Sequence, residues 1–194
     1  TNETILSGET GGEFVYHVFR HVNIGLNSTA VLDGFTISDG LANGSGTENK
    51  GGAMLNSGSS SANGSSPNIQ NVVFRDNSAA EGGAMYNSRY CHPAVNGTTF
   101  QNNTATLKGG AVFNIRNIPV FSNCTFTGNS VSSTGTNDGG GAVYNTTSAA
   151  TEGPTLSYCT FISNTVSNSS KGGAVFSYLN PGKTSISNSD FYTS

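Results

Sequence analysis

The string GGAMLN at residues 51–56 returns as GGAMYN at 82–87, GGAVFN at 109–114, GGAVYN at 140–145 and GGAVFS at 172–177. Its alanines, Ala53, Ala84, Ala111, Ala142 and Ala174, lie 31, 27, 31 and 32 residues apart. A second string interleaves with it: FRDN at 74–77, FQNN at 100–103, FTGN at 126–129 and FISN at 161–164. A near-fixed period means one supersecondary unit stacked on itself, and this restricts the fold more than any single residue can. Glycine pairs, β-branched residues and Asn-Ser-Thr clusters oppose helix, and no 3.6-residue apolar stripe is present. A propeller blade needs about 40–45 residues, which is more than one repeat supplies. One repeat as one coil of an all-β, parallel β-helix is the solution that remains.

In such a coil each repeated position becomes a column rising about 4.8 Å per rung. Strand alternation puts Ala111, Phe113, Ala142, Tyr144 and Phe176 on one face of the GGA strand and Met54, Met85, Val112, Val143 and Val175 on the other. Both faces are apolar, so the pattern leaves open which one is interior. Phe74, Phe100, Phe126, Phe161 and Phe191 form a further column, expected inside because a row of exposed phenylalanines invites aggregation. Asparagine closes each motif, and two amide ladders are expected, Asn56, Asn87, Asn114 and Asn145 in one and Asn77, Asn103, Asn129 and Asn164 in the other. The paired glycines permit a tight corner at positive φ.

Charge is scarce. Only 10% of residues are charged, against about 25% in an ordinary domain. The net charge is −3 with 8 Lys plus Arg, nowhere clustered, which gives no footprint for nucleic acid or an anionic membrane. No run approaches the roughly 18 apolar residues of a membrane span. What charge there is falls partly into a column before the glycine pair: Lys50, Glu81, Lys108, the displaced Asp138, and Lys171. The alternation of sign suits a register ladder rather than a stripe for a charged polymer.

Cys124 and Cys159 each precede the motif phenylalanine by two residues. They are therefore expected on adjacent rungs, as a disulfide or as stacked thiols; Cys91 has no equivalent partner. The three cysteines match no metal-ligand spacing, and no cofactor or metal is expected. The eleven acidic residues include no paired carboxylates. Asp33 and Asp39, with His17 and His21 a coil earlier, are the best cluster for acid–base work, and they lack a matched acid, base and cation. Nine N-x-S/T sequons occur; of these Asn27, Asn43, Asn63 and Asn168 are the candidate glycosylation sites. Tyr86 and Tyr144 are candidates for stacking on sugars provided they prove exposed.

GGA followed by an aliphatic residue, alternating with F-x-x-N, resembles the repeat of the chlamydial polymorphic outer-membrane proteins and of a wider set of secreted bacterial right-handed β-helix proteins. TILSGE at 4–9, YHVF at 16–19 and NSTAVLDGFTISDGLANG at 27–44 are similar to the coils that lead into the GGA rungs in that wider set. Phe35-Thr36-Ile37-Ser38 would be the first F-x-x-N strand, lacking its Asn, and Phe191-Tyr192-Thr193-Ser194 the last. The resemblance implies a right-handed, single-stranded parallel β-helix of about six coils over residues 1–194, with N-terminal coils at 1–50 and repeat coils at 51–194. Such a chain would be a section of a longer solenoid or a fibre protomer. The expected function is an extracellular or cell-surface structural β-helix without catalytic activity, serving as a fibre subunit, stalk or adhesin passenger. Its expected partners are further copies stacked head to tail, adjoining parts of a longer chain, or surface glycans. The alternative is a carbohydrate-binding or polysaccharide-cleaving module.

Overall fold

Each coil turns where a residue adopts the left-handed backbone conformation. In the computed structural model, which describes residues 3–146, 152–167, 172–178 and 183–192, such residues recur at fixed places. Three residues before the core phenylalanine come Asn71, Gly97, Asn123, Tyr158 and Asn188, and two residues after it come Asp76, Asn102, Gly128 and Ser163, all at positive φ. The first glycine of each pair, Gly51, Gly82, Gly109, Gly140 and Gly172, makes the third corner. Between corners the chain has room only for strands of a few residues. One coil thus reads Asn68–Gln70, Val73–Arg75, Ser78–Glu81 and Met85–Asn87.

Those four strands stack on their counterparts in four parallel sheets. The phenylalanine sheet has seven strands from Ile5–Ser7 to Asp190–Tyr192, and the GGA sheet six from Phe19–Val22 to Val175–Tyr178. A five-stranded sheet follows the phenylalanine strand, and a six-stranded sheet precedes it. A short hairpin, Glu9–Thr10 with Glu13–Phe14, is the one antiparallel pair among the described residues. The protein is therefore an all-β parallel β-helix, with the rung count expected from the repeats.

Two strands of each coil carry no repeated string, yet their inward residues are legible by offset. Leu32, Ile69, Val95, Phe121 and Leu156 each lie ten residues before Ala42, Ala79, Ala105, Val131 and Val166, respectively. Phe74, Phe100, Phe126 and Phe161 sit midway between such pairs. One correction concerns the first strand of this sheet. The register pairs Ile37, not Phe35, with Phe74, so the motif begins two residues later than FTIS suggests and Gly40 stands where later coils have Asn. Phe35 and Ile37 are two apart and point the same way, so alternation alone does not choose between them. The left-handed corner at Asp39 does.

Leu6, Ile37, Phe74, Phe100, Phe126 and Phe161 make one continuous internal column, on which Phe191, expected inside, stacks as the last ring and is 52% exposed. From Phe74 to Phe191 successive rings stack at 5.2, 4.8, 4.9 and 4.7 Å between centroids. Burying each ring is worth about 1.5–3 kcal/mol and each ring pair about 0.5–1.5 kcal/mol more. The open question about the GGA strand is answered by two separate clusters. Met54, Met85, Val112 and Val143 belong to the main core, while Leu55, Tyr86, Phe113 and Tyr144 form a second core on the outer face of the same sheet. Val22, Ile115, Phe176 and Tyr178 pack against this second core and the Tyr144 hydroxyl donates to the Asn137 carbonyl, so both faces are apolar because both are buried.

The paired glycines have different duties. The first is at positive φ; the second lies so close to its neighbours that an added Cβ on Gly83, Gly110 or Gly141 would meet a backbone carbonyl of the next rung at 2.2, 2.0 or 2.0 Å.

Candidate functional site

Variation in coil length is confined to the segments flanking the GGA sheet. The ten-residue span just described never changes, whereas the distance from the marker alanine to the next inward residue is sixteen residues after Ala53, eleven after Ala84 and ten after Ala111. In solenoids such insertions gather on one face, commonly the binding face. Here they make the turns at 58–67, 88–93 and 116–119, and two adjoining surface grooves lie among them. One, of about 330 Å³, is lined by residues that include Ser57, Ser59, Ser88, Arg89, Tyr90 and Arg116. The other, of about 480 Å³, shares Tyr90 and includes Asn27, Ser66, Asn68 and His92. No Asp or Glu lines either groove. Part of the smaller groove follows the repeat: Tyr86 belongs to the GGAMYN string, and Arg89 and Arg116 each stand two residues after the asparagine of a GGA motif. The rest of the lining lies in the segments of unequal length and is marked in the sequence by the length variation alone.

The asparagine columns are hydrogen-bonded amide chains. Asn56 Nδ2 donates to Asn87 Oδ1 at 2.8 Å, Asn87 to Asn114 at 2.9 Å and Asn114 to Asn145 at 2.9 Å. Asn145 Nδ2 then donates to the Thr184 hydroxyl at 3.3 Å. At the other end, Asn56 Oδ1 lies 2.8 Å from His21 Nδ1. Because every amide donates in the same direction, His21 must donate too, and its neutral tautomer carries the proton on Nδ1. The second column runs alike. Asn77 Nδ2 donates to Asn103 Oδ1, Asn103 to Asn129 and Asn129 to Asn164, at 3.0, 3.0 and 2.9 Å. Chains of aligned amides polarise one another, so each bond strengthens the next.

Burial pushes the His21 imidazole below its ordinary value, against the Asn56 hydrogen bond that raises it; His17 and His92 are lowered by burial as well. A base with a depressed value in the folded state binds protons more tightly when unfolded. Stability from these rings is therefore complete above about pH 6.5, the unfolded value, and is lost as the pH falls from there through the folded values. The thermal midpoint should drop between pH 7 and pH 5. His21→Asn, which extends the amide chain by one link without a titrating group, should flatten part of that drop. A midpoint with the same pH dependence in both proteins would show that His21 is not the terminus of the chain.

All three cysteines are free and buried. Cys124 and Cys159 are neighbours on successive rungs, flanking the Thr125–Thr160 register pair. The Cys124 thiol is pushed up by its hydrogen bond to Cys159 and by burial, and Cys91 is pushed up by burial. In native buffer none of the thiols should react with an aromatic disulfide reagent within minutes, and all three should react after denaturation; two equivalents missing from the denatured titration would indicate a disulfide.

The Asp33, Asp39, His17 and His21 cluster is not assembled. Asp33 accepts a hydrogen bond from Asn71, Asp39 accepts from Ser7 and Ser38, His17 meets the Gly51 carbonyl, and His21 heads the amide chain. The two aspartates are separated by the strand Thr36–Ser38 and turn away at different corners. Tyr86 and Tyr144 are only 7% and 1% exposed, so neither offers a face to a sugar; each ring packs against Phe113, and Tyr86 reaches the smaller groove only with its remaining exposed edge. The charge column is present as Lys50–Glu81, Glu81–Lys108 and Lys108–Asp138 contacts of 3.4, 3.8 and 3.8 Å. Lys50 also stands 4.9 Å above the Tyr86 ring. Burial acts to lower the Lys50 value, and the Tyr86 oxygen and Glu81 outweigh it, leaving the ammonium above its ordinary value. Among the candidate glycosylation sites Asn27 and Asn43 are exposed, and Asn63 is tied to Ser59 and Ser60. Asn168, like Lys171 of the charge column, lies outside the described residues.

Among the described residues no three or more His, Cys, Asp and Glu side chains are grouped to hold a metal ion, and no helix is long and apolar enough to cross a membrane. Columns of this kind, with a second core on the outer face of the GGA sheet, define the chain as a parallel β-helix repeat protein. Residues 97–115 and 123–146 match the model of the Chlamydia polymorphic membrane protein (Chlamydia_PMP) repeat. The two matched stretches are similar to that repeat and fall in two successive coils, each running from a phenylalanine strand to a GGA strand. No curated protein and no solved structure matches the chain.

Proposed function

We propose that the chain is a rigid scaffold of a surface-exposed bacterial protein, a β-helical stalk or adhesive passenger whose coils space and present the loops on its GGA side. The observation that supports this is the match of two coils to a repeat of polymorphic membrane proteins, on a wall whose ten-residue span is invariant while the flanking loops vary. A surface that must differ between copies while the frame stays constant suits presentation rather than catalysis, and the acid–base cluster that an enzyme would need is dispersed. The test is labelling of intact source cells with an antibody raised against residues 1–194. Surface label on unpermeabilised cells, together with adherence of protein-coated beads to epithelial cells above that of albumin-coated beads, is the expected result. Label that appears only after permeabilisation would overturn the proposal.

A further inference from the structure

The groove of about 330 Å³ brings two arginine side chains to one place. Lys50, Arg75 and Lys108 are each ion-paired. Arg89 and Arg116 have no carboxylate partner among the described residues, and both line this groove. They come from successive coils, one from each of the turns after the GGA strands Met85–Asn87 and Val112–Ile115, so the stacking brings together two residues that lie far apart in the chain. The Arg89 guanidinium is held 5.7 Å from the Tyr90 ring centroid, which limits the side-chain freedom lost on binding.

The remaining lining has a different chemistry. Ser57, Ser59 and Ser88 line the same space; Ser88 Oγ accepts from Gly58 N and donates to Ser57 Oγ, and Ser59 Oγ accepts from Asn63 Nδ2, so each hydroxyl keeps bonding capacity beyond its internal partner. Tyr90 is shared with the larger groove, where Asn68 Nδ2 donates to Ser28 O and Asn27 Oδ1 accepts from Thr29. Small hydroxyl and amide groups that both donate and accept suit a ligand that is itself covered in hydroxyls. Guanidiniums suit a planar or tetrahedral anion, which they can hold bidentately. The volumes, about 330 and 480 Å³, fall within or near the range of small-molecule sites, about 300–1,000 Å³, and together they form a run rather than a closed hole. Tyr90 at φ 68° and Arg116 at φ 55° occupy a backbone region that bulky residues rarely adopt. This geometry sets both side chains at the groove.

We propose that this groove binds an acidic oligosaccharide, with Arg89 and Arg116 pairing a carboxylate or sulfate on one sugar unit and the serine and asparagine side chains bonding hydroxyls of that unit and its neighbour. The proposal does not depend on the scaffold role, since a groove of this kind can act on a stalk, a passenger or a free domain.

The test uses the full chain and three fluorescently labelled hexasaccharides of similar length: a uronate oligomer, a sulfated heparin-derived oligomer and uncharged maltohexaose. At least one anionic oligomer should bind at least tenfold more tightly than maltohexaose, and the stronger of the two identifies the anion. Arg89→Gln and Arg116→Asn should each weaken that binding at least tenfold and reduce its salt dependence, while Arg75→Ser should leave it unchanged. Asparagine is chosen at Arg116 because it tolerates positive φ, so the charge is removed without adding strain. If Arg116→Asn nevertheless lowers the thermal midpoint, Arg89→Gln alone decides. Equal binding by wild type and Arg89→Gln, equal binding of maltohexaose, no binding of either anionic oligomer at millimolar concentration, or tighter binding of an acidic phosphopeptide would each overturn the proposal.

Discussion

Replacing Gly110 with alanine should abolish folding or lower the unfolding free energy from urea denaturation by more than about 4 kcal/mol, a loss few single substitutions reach. The new Cβ would stand 2.0 Å from the Gly141 carbonyl oxygen and 2.7 Å from the backbone of Ser130. Neither can withdraw. The rungs are clamped on both sides of the contact, by Gly110 N donating to Gly140 O at 3.0 Å and Ala111 N to Ala142 O at 2.9 Å. Relief therefore means opening the stack, against a total stability of about 5–15 kcal/mol for a typical protein. Gly46→Ala is the matched control: its φ of 68° penalises a side chain, but nothing lies within 4 Å, so the cost should be only about 1–2 kcal/mol. Similar midpoints for the two variants would refute the close-approach explanation of the second glycine.

Asn103→Leu is expected to cost about 4 kcal/mol or more. The fully buried Asn103 side chain donates to Phe74 O at 2.9 Å and Asn129 Oδ1 at 3.0 Å, and accepts from Asn77 N at 3.2 Å and Asn77 Nδ2 at 3.0 Å. Leucine fills much the same volume and replaces none of these bonds. The Asn77 backbone N–H loses its partner inside the wall, where each unsatisfied group costs about 1–3 kcal/mol. The neighbouring Asn102 makes a clean comparison, since it is exposed at φ 53° and Asn102→Gly should change stability by no more than about 1 kcal/mol. Equilibrium denaturation of both variants, read alongside amide exchange in the adjoining rungs, distinguishes a local loss from a break in the column. Equal midpoints would mean that the amide chain contributes nothing.

The phenylalanine column, both asparagine columns, the charge column and the adjacency of Cys124 with Cys159 were all legible in the spacing of the strings. A residue that recurs once per coil has nowhere to go but above its own copy. Two of the four strands per coil were harder to see, because alanine, valine, leucine and phenylalanine alternate at positions such as Ala79 and Val131 or Val95 and Phe121, and only their fixed offset from the core phenylalanine marks them. The first coil was misaligned by two residues for a related reason: Phe35 and Ile37 fit the same face, and the corner that chooses between them is set by backbone geometry. The groove was legible only in part. Arg89 and Arg116 each stand two residues after the closing asparagine of a GGA motif, in GGAMYNSR and GGAVFNIR, so the 27-residue repeat stacks one above the other; Tyr90, Asn27 and His92 lie in segments of unequal length and carry no such mark.

By itself, the sequence determined that this protein is a stack of parallel coils, because glycine, asparagine and phenylalanine at a near-fixed period admit no other way to bury the one and bond the others. Tertiary structure alone decided which side of the GGA strand is core. The answer was both, since the outward residues Leu55, Tyr86, Phe113 and Tyr144 stack into a second buried column, and alternation alone does not tell a buried outer face from an exposed one. The folded chain also joins Arg89 and Arg116 with Tyr90 and the serines in one groove, and the strand Thr36–Ser38 holds Asp33 apart from Asp39. Periodicity specifies neighbours within the wall; contacts between turns of unequal length depend on how far each turn reaches, and only the folded chain settles that distance.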